Sequence, residues 1–328
     1  MSILVTGGAG YIGSHTVKEL QNKSKDVVVY DNLSRGHKNA VKDVPLIIGD
    51  LLNSELLSKT IQEYKISSVI HFAADSQVGE SMVDPKKYYV NNVSGTINLL
   101  KSMIENNVKT IVFSSTAATY GEPKKVPIEE NIPTIPTNVY GRTKLMIEHI
   151  LADFDMAYGL KYAALRYFNV AGAYETGEIG EDHNPETHLI PIIMQVLLGK
   201  RESIKIFGTD YPTDDGTCIR DYIHVTDLAD AHILALDALE NDRKSLTYNL
   251  GNGNGFSVRE VINTTEKVTG LKVNTVEAER RAGDPAKLIA SSEKIIKELK
   301  WKPRFNKLEQ IIESAWRWHK SNPDGFTE

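Results

Sequence analysis

The sequence is poor in cysteine, in long apolar runs and in blocks of one charge. Cys218 is the only cysteine among 328 residues, which excludes an intrachain disulfide and a cysteine-rich metal site. No apolar run approaches the roughly 20 residues that a membrane-spanning helix needs. The net charge is −5 and no basic block is present, which argues against nucleic-acid binding. The nine histidines show no HExxH pairing, so no metal is expected either. Because the N-terminal residues also lack a leader pattern, we expect a cytoplasmic protein.

The first half of the chain contains a regular alternation of strand and helix patterns. Helical periodicity covers residues 11–22, 53–65, 85–106 and 138–158. Short apolar segments typical of strands buried on both faces lie between several of them: SILVT, VVVYD, PLIIGD, SVIHFAA, KTIVFSS and KYAALRYF. This alternation predicts βαβ units and an α/β fold with a doubly wound parallel sheet.

The second half of the chain is less regular. Glycines and a proline interrupt residues 171–186, and a helix over 188–199 and a strand near 204–207 are predicted to follow. We therefore expect a nucleotide-binding domain over residues 1–169. A smaller α/β substrate-binding lobe is expected over residues 170–328, with some of its segments returning to the first domain.

The junction between the first strand and the first helix, TGGAGYIGSH, is rich in glycine. Gly8, Gly10 and Gly13 match GxGxxG, and Gly7, Gly10 and Gly13 match GxxGxxG. A strand before the turn and a helix after it are the context that gives such a pattern meaning. Glycines there let backbone N–H groups approach a pyrophosphate at the helix N-terminus. The turn therefore predicts a dinucleotide site of the Rossmann type.

Acidic and small residues end the other predicted strands. Asp31 follows the glycine turn at close to the expected spacing of about 20 residues. It favours NAD over NADP, because a carboxylate would repel the 2′-phosphate of NADP. Arg35, by contrast, could accommodate that phosphate, and a plain glycine turn with a solvated acid is the structural alternative. The other residues at strand ends that could line the ligand, or simply pack, are Asp50, Phe72, Ala73 and Ala74.

Tyr140 and Lys144 are four residues apart in NVYGRTKLMIE, a helix-forming run that Asn138 could cap. An ammonium near a phenol favours the phenolate. A tyrosine acting as a base near pH 7 needs roughly 4 kcal/mol of such help, which Lys144 and an oxidised nicotinamide could supply together. The alternative is a core tyrosine beside a surface lysine. Tyr120 and Lys124 share the same spacing, but Gly and Pro between them predict a turn.

Three hydroxyls, Ser114, Ser115 and Thr116, close the fifth predicted strand in FSSTAATYG. The glycine turn, Asp31, these hydroxyls and YGRTK, in this order, resemble the extended short-chain dehydrogenase/reductase family. Within it, the chain is similar to the UDP-glucose 4-epimerases. The segments that carry this resemblance span residues 5 to 286: VTGGAGYIGSH, YDNLSRG, VIHFAA, SSTAATYGEP, YGRTK, LRYFNVAGA, DGTCIRDYIHV and RRAGDPA.

The resemblance implies a function and an assignment of residues. NAD would stay bound and would take a hydride from sugar C4 and return it to the other face, which interconverts UDP-glucose and UDP-galactose. The catalytic residues would be Tyr140 as the base, Lys144 on the nicotinamide ribose and Thr116 on the sugar 4-hydroxyl. The cofactor would be held by Gly7, Gly10, Tyr11, Ile12, Gly13, Asp31, Asn32, Asp50, Leu51, Phe72, Ala73, Ala74, Asn91, Ser114, Tyr140, Lys144 and Tyr167. The UDP-sugar would be held by Thr116, Tyr140, Asn169, Leu189, Phe207, Arg220, Arg281, Asp284 and Leu288, and Tyr167 would also contact the sugar.

Some positions depart from the family pattern. Thr116 replaces a frequent serine and keeps the hydroxyl, whereas Ser76 replaces a frequent lysine. His188 stands where many members have an asparagine near the uridine, so no role is carried over to it. Leu288 aligns with the position that gates substituents on sugar C2. Because leucine is smaller than the tyrosine of strict glucose/galactose enzymes, UDP-GlcNAc and UDP-GalNAc form a possible second substrate pair.

Two other functions share parts of this pattern. A nucleotide-sugar 4,6-dehydratase would carry an Asp-Glu pair directly after Thr116, where this chain has Ala117 and Ala118, and alanine transfers no proton. An inactive NAD-binding sensor would be expected to lose Tyr140 or Lys144. The family resemblance also implies a homodimer packed through two long helices, here 85–106 and 138–158.

Overall fold

The computed structural model describes residues 2–281 and 284–327 of the chain. The strands, in chain order, are β1 (Ser2–Thr6), β2 (Val27–Asp31), β3 (Leu46–Ile48), β4 (Ile66–His71), β5 (Thr110–Thr116), β6 (Lys161–Tyr167), β7 (Asn169–Ala171), β8 (Ile204–Phe207), β9 (Ile219–His224), β10 (Leu246–Leu250), β11 (Gly255–Ser257), β12 (Thr275–Ala278) and β13 (Lys287–Leu288). The helices are α1 (Tyr11–Asn22), α2 (Ser54–Glu63), α3 (Val78–Val83), α4 (Pro85–Tyr88), α5 (Gly95–Glu105), α6 (Val139–Tyr158), α7 (Leu189–Leu197), α8 (Val225–Asp242), α9 (Val258–Thr269), α10 (Glu293–Leu299) and α11 (Leu308–Ser321).

Seven parallel strands form the main sheet in the order β10-β6-β5-β4-β1-β2-β3. The chain runs outward from β1 in one direction and from β4 in the other, so the order reverses between these two neighbours. In open α/β sheets, ligands bind at such a reversal, beyond the carboxyl ends of the strands. The predicted α/β fold with a doubly wound parallel sheet is therefore confirmed, and its topology places a crevice beside Thr6 and His71.

Both faces of this sheet are buried, because successive side chains of a strand point to opposite faces. Val5 and Val29 join one core cluster, while Leu4 and Val28, one residue earlier in each strand, join the other. This is why the strands are continuous apolar runs in the sequence. Helices cover both layers, with α1 and α8 packed together on the first face and α2 and α5 on the second.

The smaller lobe contains β7, β9, β11 and β13 in one sheet and the pair β8–β12 in another. Its core is a third apolar cluster to which α7, α9 and α11 contribute. Helix α8 and strand β10 belong in sequence to residues 170–328 but pack on the main sheet, where β10 is the edge strand beside β6. Among the described residues, no helix is long and apolar enough to span a membrane.

The prediction of one continuous helix over residues 85–106 is wrong for the middle of that segment. It divides into α4, a π-helical turn over Tyr89–Ser94, and α5. The buried Asn92 side chain accepts from Asp75 N at 2.8 Å and donates to Asp75 O at 3.0 Å, and Thr96 Oγ1 donates to Asn92 O at 2.6 Å. These contacts with a distant loop favour the π turn over a regular helix, and such turns are frequent near functional sites.

A buried ion pair ties together three elements of the main sheet. Glu148 of α6 accepts from Arg166 Nε at 2.9 Å and from Arg166 Nη2 at 2.5 Å. Ser115 of β5 donates to the same carboxylate at 2.5 Å, while Arg166 lies on β6. Arg166 Nη1 also donates to Tyr120 Oη at 2.8 Å, and this hydroxyl donates to Asn249 of β10 at 2.7 Å. All of these polar atoms are satisfied within the protein, which a buried charge requires.

Glu148→Gln should destabilise the protein by about 3–5 kcal/mol, because it leaves the buried Arg166 guanidinium without its counter-charge. Urea denaturation followed by circular dichroism measures the change. Glu105→Gln is the matched control, since Glu105 forms only an exposed pair with Lys101 at 3.8 Å and should change stability by less than about 0.5 kcal/mol. Equal stability of the two variants would show that the buried pair is not needed for folding.

Candidate active site

The glycine turn between β1 and α1 is closely packed against the loop that follows β4. A Cβ atom on Gly7, whose φ is +70°, would lie 2.5 Å from Ala73 N, and one on Gly13 would lie 2.2 Å from Gly7 O. A Cβ on Gly10 would have only Gly7 O within 4 Å, at 3.4 Å. Gly7 and Gly13 are thus required by packing, whereas Gly10 keeps open space at the start of the helix.

The N-terminus of α1 is suited to an anion. No side chain caps it and its first turn carries no acidic residue, so N–H groups in the first turn, those of Tyr11, Ile12 and Gly13 among them, are without a side-chain cap. The residues present therefore fit a pyrophosphate. Tyr11 itself is held in place by its hydroxyl, which donates to Gly172 O at 2.6 Å.

Asp31 lies at the end of β2 beside this turn. Its carboxylate accepts from Ala9 N and Leu33 N, both at 2.9 Å, and burial raises the pKa of Asp31. Asn32 donates to Asp50 at 2.8 Å, so these two residues form one polar edge. Arg35 does not face Asp31 through a hydrogen bond: its guanidinium donates to Asn184 O in the loop before α7.

The remaining residues predicted to contact a cofactor lie around the crevice with different degrees of burial. Phe72, Ala73 and Ala74 are half-buried beyond β4, and the Phe72 and Ala73 N–H groups both donate to Thr6 O. Leu51 is buried in the second core cluster, which gives it a packing role of its own. Asn91 is half-buried in the π turn next to Asn92.

Thr116, Tyr140 and Lys144 meet where β5 ends and α6 begins. Asn138 caps α6 as predicted, accepting from Gly141 N at 2.8 Å. Lys144 Nζ donates to Ser114 O at 2.8 Å and lies 5.9 Å from the centre of the Tyr140 ring. The Thr116 side chain lies close enough to the Tyr140 hydroxyl to influence its pKa. The helix spacing therefore places the phenol and the ammonium on the same face, against the strand that carries the hydroxyls.

Burial dominates the electrostatics of this group. It raises the pKa of Tyr140 to about 12, although the neighbouring Thr116 side chain acts in the opposite direction. It also lowers the pKa of Lys144 to about 7. The expected lowering of the phenol pKa is therefore not present in the protein alone, because both groups lose water and the ammonium is directed at Ser114 O. Perturbed pairs of this kind in a crevice are typical of catalytic sites.

The side chains around the three residues fix their positions. Ser114 Oγ and the Tyr167 hydroxyl form a hydrogen bond across neighbouring strands. Ser81 Oγ accepts from Tyr140 N at 3.1 Å, and a Cβ on Gly141 would lie 2.5 Å from Ala118 O. Ser81 was not identified from the sequence, because it lies 59 residues from its partner and no local pattern announces it.

A buried histidine that the sequence did not single out supports the floor of the crevice. His71 Nδ1 accepts from Thr6 Oγ1 at 2.7 Å, and His71 Nε2 donates to Thr96 Oγ1 at 2.9 Å, since Thr96 uses its own proton on Asn92 O. Burial, together with the nearby Lys144 charge, lowers the pKa of His71 to about 3. His71 is therefore neutral and links β1, β4 and α5.

The residues predicted to hold a UDP-sugar lie in the smaller lobe. Arg220 donates to Asp284, and Leu288 pairs with Arg220 in the register of β13 and β9. The Arg281 guanidinium lies 4.0 Å from the centre of the Phe207 ring. Asn169 Nδ2 donates to Asp221 O at 3.1 Å. Leu189 opens α7 and packs on the third core cluster.

The structure also shows the surroundings of the second tyrosine–lysine match and of the two alanines after Thr116. Tyr120 is buried in the Arg166 network, whereas Lys124 is exposed, so they do not form a second phenol–ammonium pair. Ala117 and Ala118 follow Thr116 on a 3₁₀ turn and are half-buried near the start of α6. Neither alanine can transfer a proton, so the acid and base needed for eliminating water are missing at this point.

Comparison with known proteins agrees with this geometry. The model of the NAD dependent epimerase/dehydratase family matches residues 3–251. A UDP-glucose 4-epimerase of Halalkalibacterium halodurans is 57% identical over 100% of this chain and 98% of its own length. The crystal structure of the Bifidobacterium longum UDP-glucose 4-epimerase in complex with NAD+ and UDP has a TM-score of 0.95 and 41% identity, covering 99% of this chain and 100% of that one. The UDP-Glc/GlcNAc 4-epimerase of Campylobacter jejuni has a TM-score of 0.86 and 43% identity, covering 98% and 99%. The chain therefore belongs to the NAD dependent epimerase/dehydratase family and, within it, groups with the UDP-glucose 4-epimerases.

Proposed function

We propose that this chain interconverts UDP-glucose and UDP-galactose by inverting the sugar carbon C4, with NAD as its resident cofactor. The observation that carries the proposal is the meeting of Thr116, Tyr140 and Lys144 at the end of β5, next to a glycine turn with free helix N–H groups. The full-length similarity to named UDP-glucose 4-epimerases supports the same activity. An inactive sensor would have no use for a buried phenol–ammonium pair at this place.

The residues of the crevice fit NAD. The uncapped α1 N-terminus suits the pyrophosphate, and Asp31, whose carboxylate lies beside the turn, suits the adenosine ribose. Lys144 would hold the nicotinamide ribose, and Phe72, Ala73 and Ala74 would line the rest of the crevice. When bound, NAD supplies hydride exchange at sugar C4 and, in its oxidised form, a positive charge in the pocket.

The protein residues handle the proton. Tyr140 would accept the proton of the sugar 4-hydroxyl and return it after the sugar has turned over, with Thr116 holding both hydroxyls in line. From a pKa of about 12, formation of the phenolate near pH 7 requires on the order of 7 kcal/mol of electrostatic help. Lys144 contributes to this through its charged form, which the Ser114 carbonyl stabilises.

The smaller lobe would hold the UDP moiety. Arg220 and Arg281 carry forked donors that suit the diphosphate oxygens. Asp284 orients Arg220, and the Phe207 ring supports Arg281 from one side. Asn169 is the first residue of β7, two residues after Tyr167 at the end of β6, and it would contact the substrate from there.

Tyr140→Phe should lower kcat by about 10²- to 10⁴-fold, because the general base is removed while the ring and its packing remain. Conversion of UDP-galactose, coupled to UDP-glucose dehydrogenase, measures the rate. Tyr120→Phe is the matched control, because it removes the same hydroxyl from a tyrosine outside the proposed site. It should keep kcat but lower the stability of the protein by about 1–3 kcal/mol, since Arg166 and Asn249 lose a buried hydrogen-bond partner. Full turnover by Tyr140→Phe would remove this tyrosine from the mechanism.

We also propose that the pocket accepts UDP-GlcNAc and UDP-GalNAc, because Leu288 leaves more room at sugar C2 than a tyrosine. Leu288→Tyr should lower kcat/KM for UDP-GalNAc by about 10-fold or more and leave UDP-galactose nearly unchanged. Lys287→Tyr places the same ring on the opposite, exposed side of β13 and should change neither value. No turnover of UDP-GalNAc by the unaltered protein would refute the second substrate pair.

We propose a homodimer that packs through the helical segments 85–105 and α6. Exposed apolar side chains on them support this surface, including Val90 and Ile97 at 41% and Met146 at 46% exposure. Ile97→Glu should shift the mass measured by light scattering from twice 36.5 kDa toward 36.5 kDa. Val276→Glu, an exposed apolar position on β12, should leave the dimer intact. A wild-type protein of 36.5 kDa at micromolar concentration would contradict the proposal.

We also propose that the protein acts in the cytoplasm. Cys218 is a free, buried thiol, and burial raises its pKa, which keeps it in the unreactive form. Such a thiol fits a reducing compartment.

A further inference from the structure

The loop between β7 and α7 brings four metal-binding side chains together. Its sequence EDHNPETH carries Glu181, His183, Glu186 and His188, a spacing unlike the HExxH pattern of helical zinc sites. One ligand atom from each side chain lies within 4.8 Å of the other three. The catalytic proposal above uses none of these four residues.

The separations between the ligand atoms match the size of a small cation. His188 Nδ1 lies 2.9 Å from Glu186 Oε1 and 3.0 Å from Glu181 Oε1. His183 Nδ1 lies 3.2 Å from Glu181 Oε1 and 3.8 Å from Glu186 Oε2. Around zinc, bonds of about 2.0–2.1 Å place tetrahedral ligands about 3.3–3.4 Å apart. The observed distances lie on both sides of that value, so small side-chain movements would suffice.

Burial and charge favour a cation at this point. Glu181 is 4% exposed and Glu186 is 7% exposed, and two carboxylates this deeply buried need compensating charge. A divalent cation bound to these two carboxylates and to two neutral imidazoles gives the site a net charge of zero. Glu186 Oε1 also accepts from Thr187 N at 2.7 Å and His188 N at 2.8 Å, which fixes the carboxylate as outer-shell contacts do in metal sites.

An ion can also reach the cluster from solvent. The His188 side chain is 50% exposed. A cavity of about 400 Å³ adjoins the other three residues, Glu181, His183 and Glu186. A site that is buried on one side and open at one ligand can load without unfolding of the lobe.

The alternative is a cluster of ion pairs without a metal. Although burial acts against it, the hydrogen bonds with Glu181 and Glu186 raise the pKa of His183 to about 9. The same carboxylates raise the pKa of His188 to about 10. Two protonated imidazoles would therefore also neutralise the two carboxylates, and the experiment has to separate these two states.

We propose that Glu181, His183, Glu186 and His188 form a structural site for a divalent transition cation, with zinc preferred. Imidazole nitrogen with carboxylate oxygen suits zinc, and four protein ligands leave no coordination position open for catalysis. The site is separate from the Tyr140 centre and does not depend on the proposed reaction.

The cation would stabilise the junction of the two lobes. His37 Nε2 lies 2.9 Å from Asp182 O, and the His183 ring meets the Tyr11 ring edge to face with centres 6.2 Å apart. On the other side, Trp318 Nε1 donates to Glu181 O at 3.2 Å, and His188 directly precedes Leu189 of α7. Fixing the loop would therefore hold the start of α7 against the glycine turn.

The test is zinc binding by the full-length protein after chelation and dialysis. Titration of Zn²⁺ against a chromophoric competitor should reveal one tight equivalent. The double variant Glu181→Gln/His188→Gln should weaken zinc binding by more than about 100-fold. Loss of an outer-shell partner alone costs about 100-fold at most. Glu105→Gln/His149→Gln removes the same residue types at exposed positions and should bind like the unaltered protein. Co²⁺ in place of zinc should give the intense visible bands of a tetrahedral site, and these bands should vanish only in the first double variant.

A second variant protects the test against misfolding. His188→Gln alone changes a half-exposed side chain, and circular dichroism should show that the fold is kept while zinc affinity falls. Zinc binding by His188→Gln that equals the unaltered protein would overturn the proposal. The absence of any tight equivalent in the unaltered protein would also overturn it and would identify the cluster as ion pairs. Epimerase activity is not a readout here, so failure of the proposed reaction would leave this result unaffected.

Discussion

The buried pair of Glu148 and Arg166 is the interaction on which the arrangement of the active site depends. It joins α6, β5 and β6, and these three elements carry Tyr140 with Lys144, Thr116, and Tyr167. A buried charge is tolerated only where its partner is fixed, so the pair permits one relative placement of helix and strand. The placement of Thr116, Tyr140 and Lys144 therefore depends on a contact in which none of these three side chains takes part.

The burial of Tyr140 and Lys144 acts against the charged form of each group. Water is excluded from both Tyr140 and Lys144, which moves their pKa values in opposite directions, away from an ionised pair. In the proposed reaction, the positive charge of an oxidised nicotinamide would favour the phenolate and so reverse that balance. Without such a charge the buried phenol stays neutral, which avoids an uncompensated charge in the protein interior.

Sequence patterns reveal those features that depend on near neighbours in the chain. The glycine turn, the Asn138 cap and the spacing of Tyr140 and Lys144 are all local, and the parallel sheet follows from the alternation of buried strands and helices. The π turn around Asn92 could not be predicted, because its cause is a hydrogen bond to Asp75 that exists only after folding. The return of β10 to the main sheet is likewise decided by packing.

The loop of residues 181–188 connects the smaller lobe, which has an apolar core of its own, to the rest of the protein. Its backbone carbonyls accept from Arg35, His37 and Trp318, so the loop is bound both to the segment after β2 and to α11. Ordering a loop costs conformational entropy, and contacts spread over two lobes offset that loss here. Because α7 starts directly after this loop, whatever holds Glu181 and Glu186 together also fixes where α7 begins.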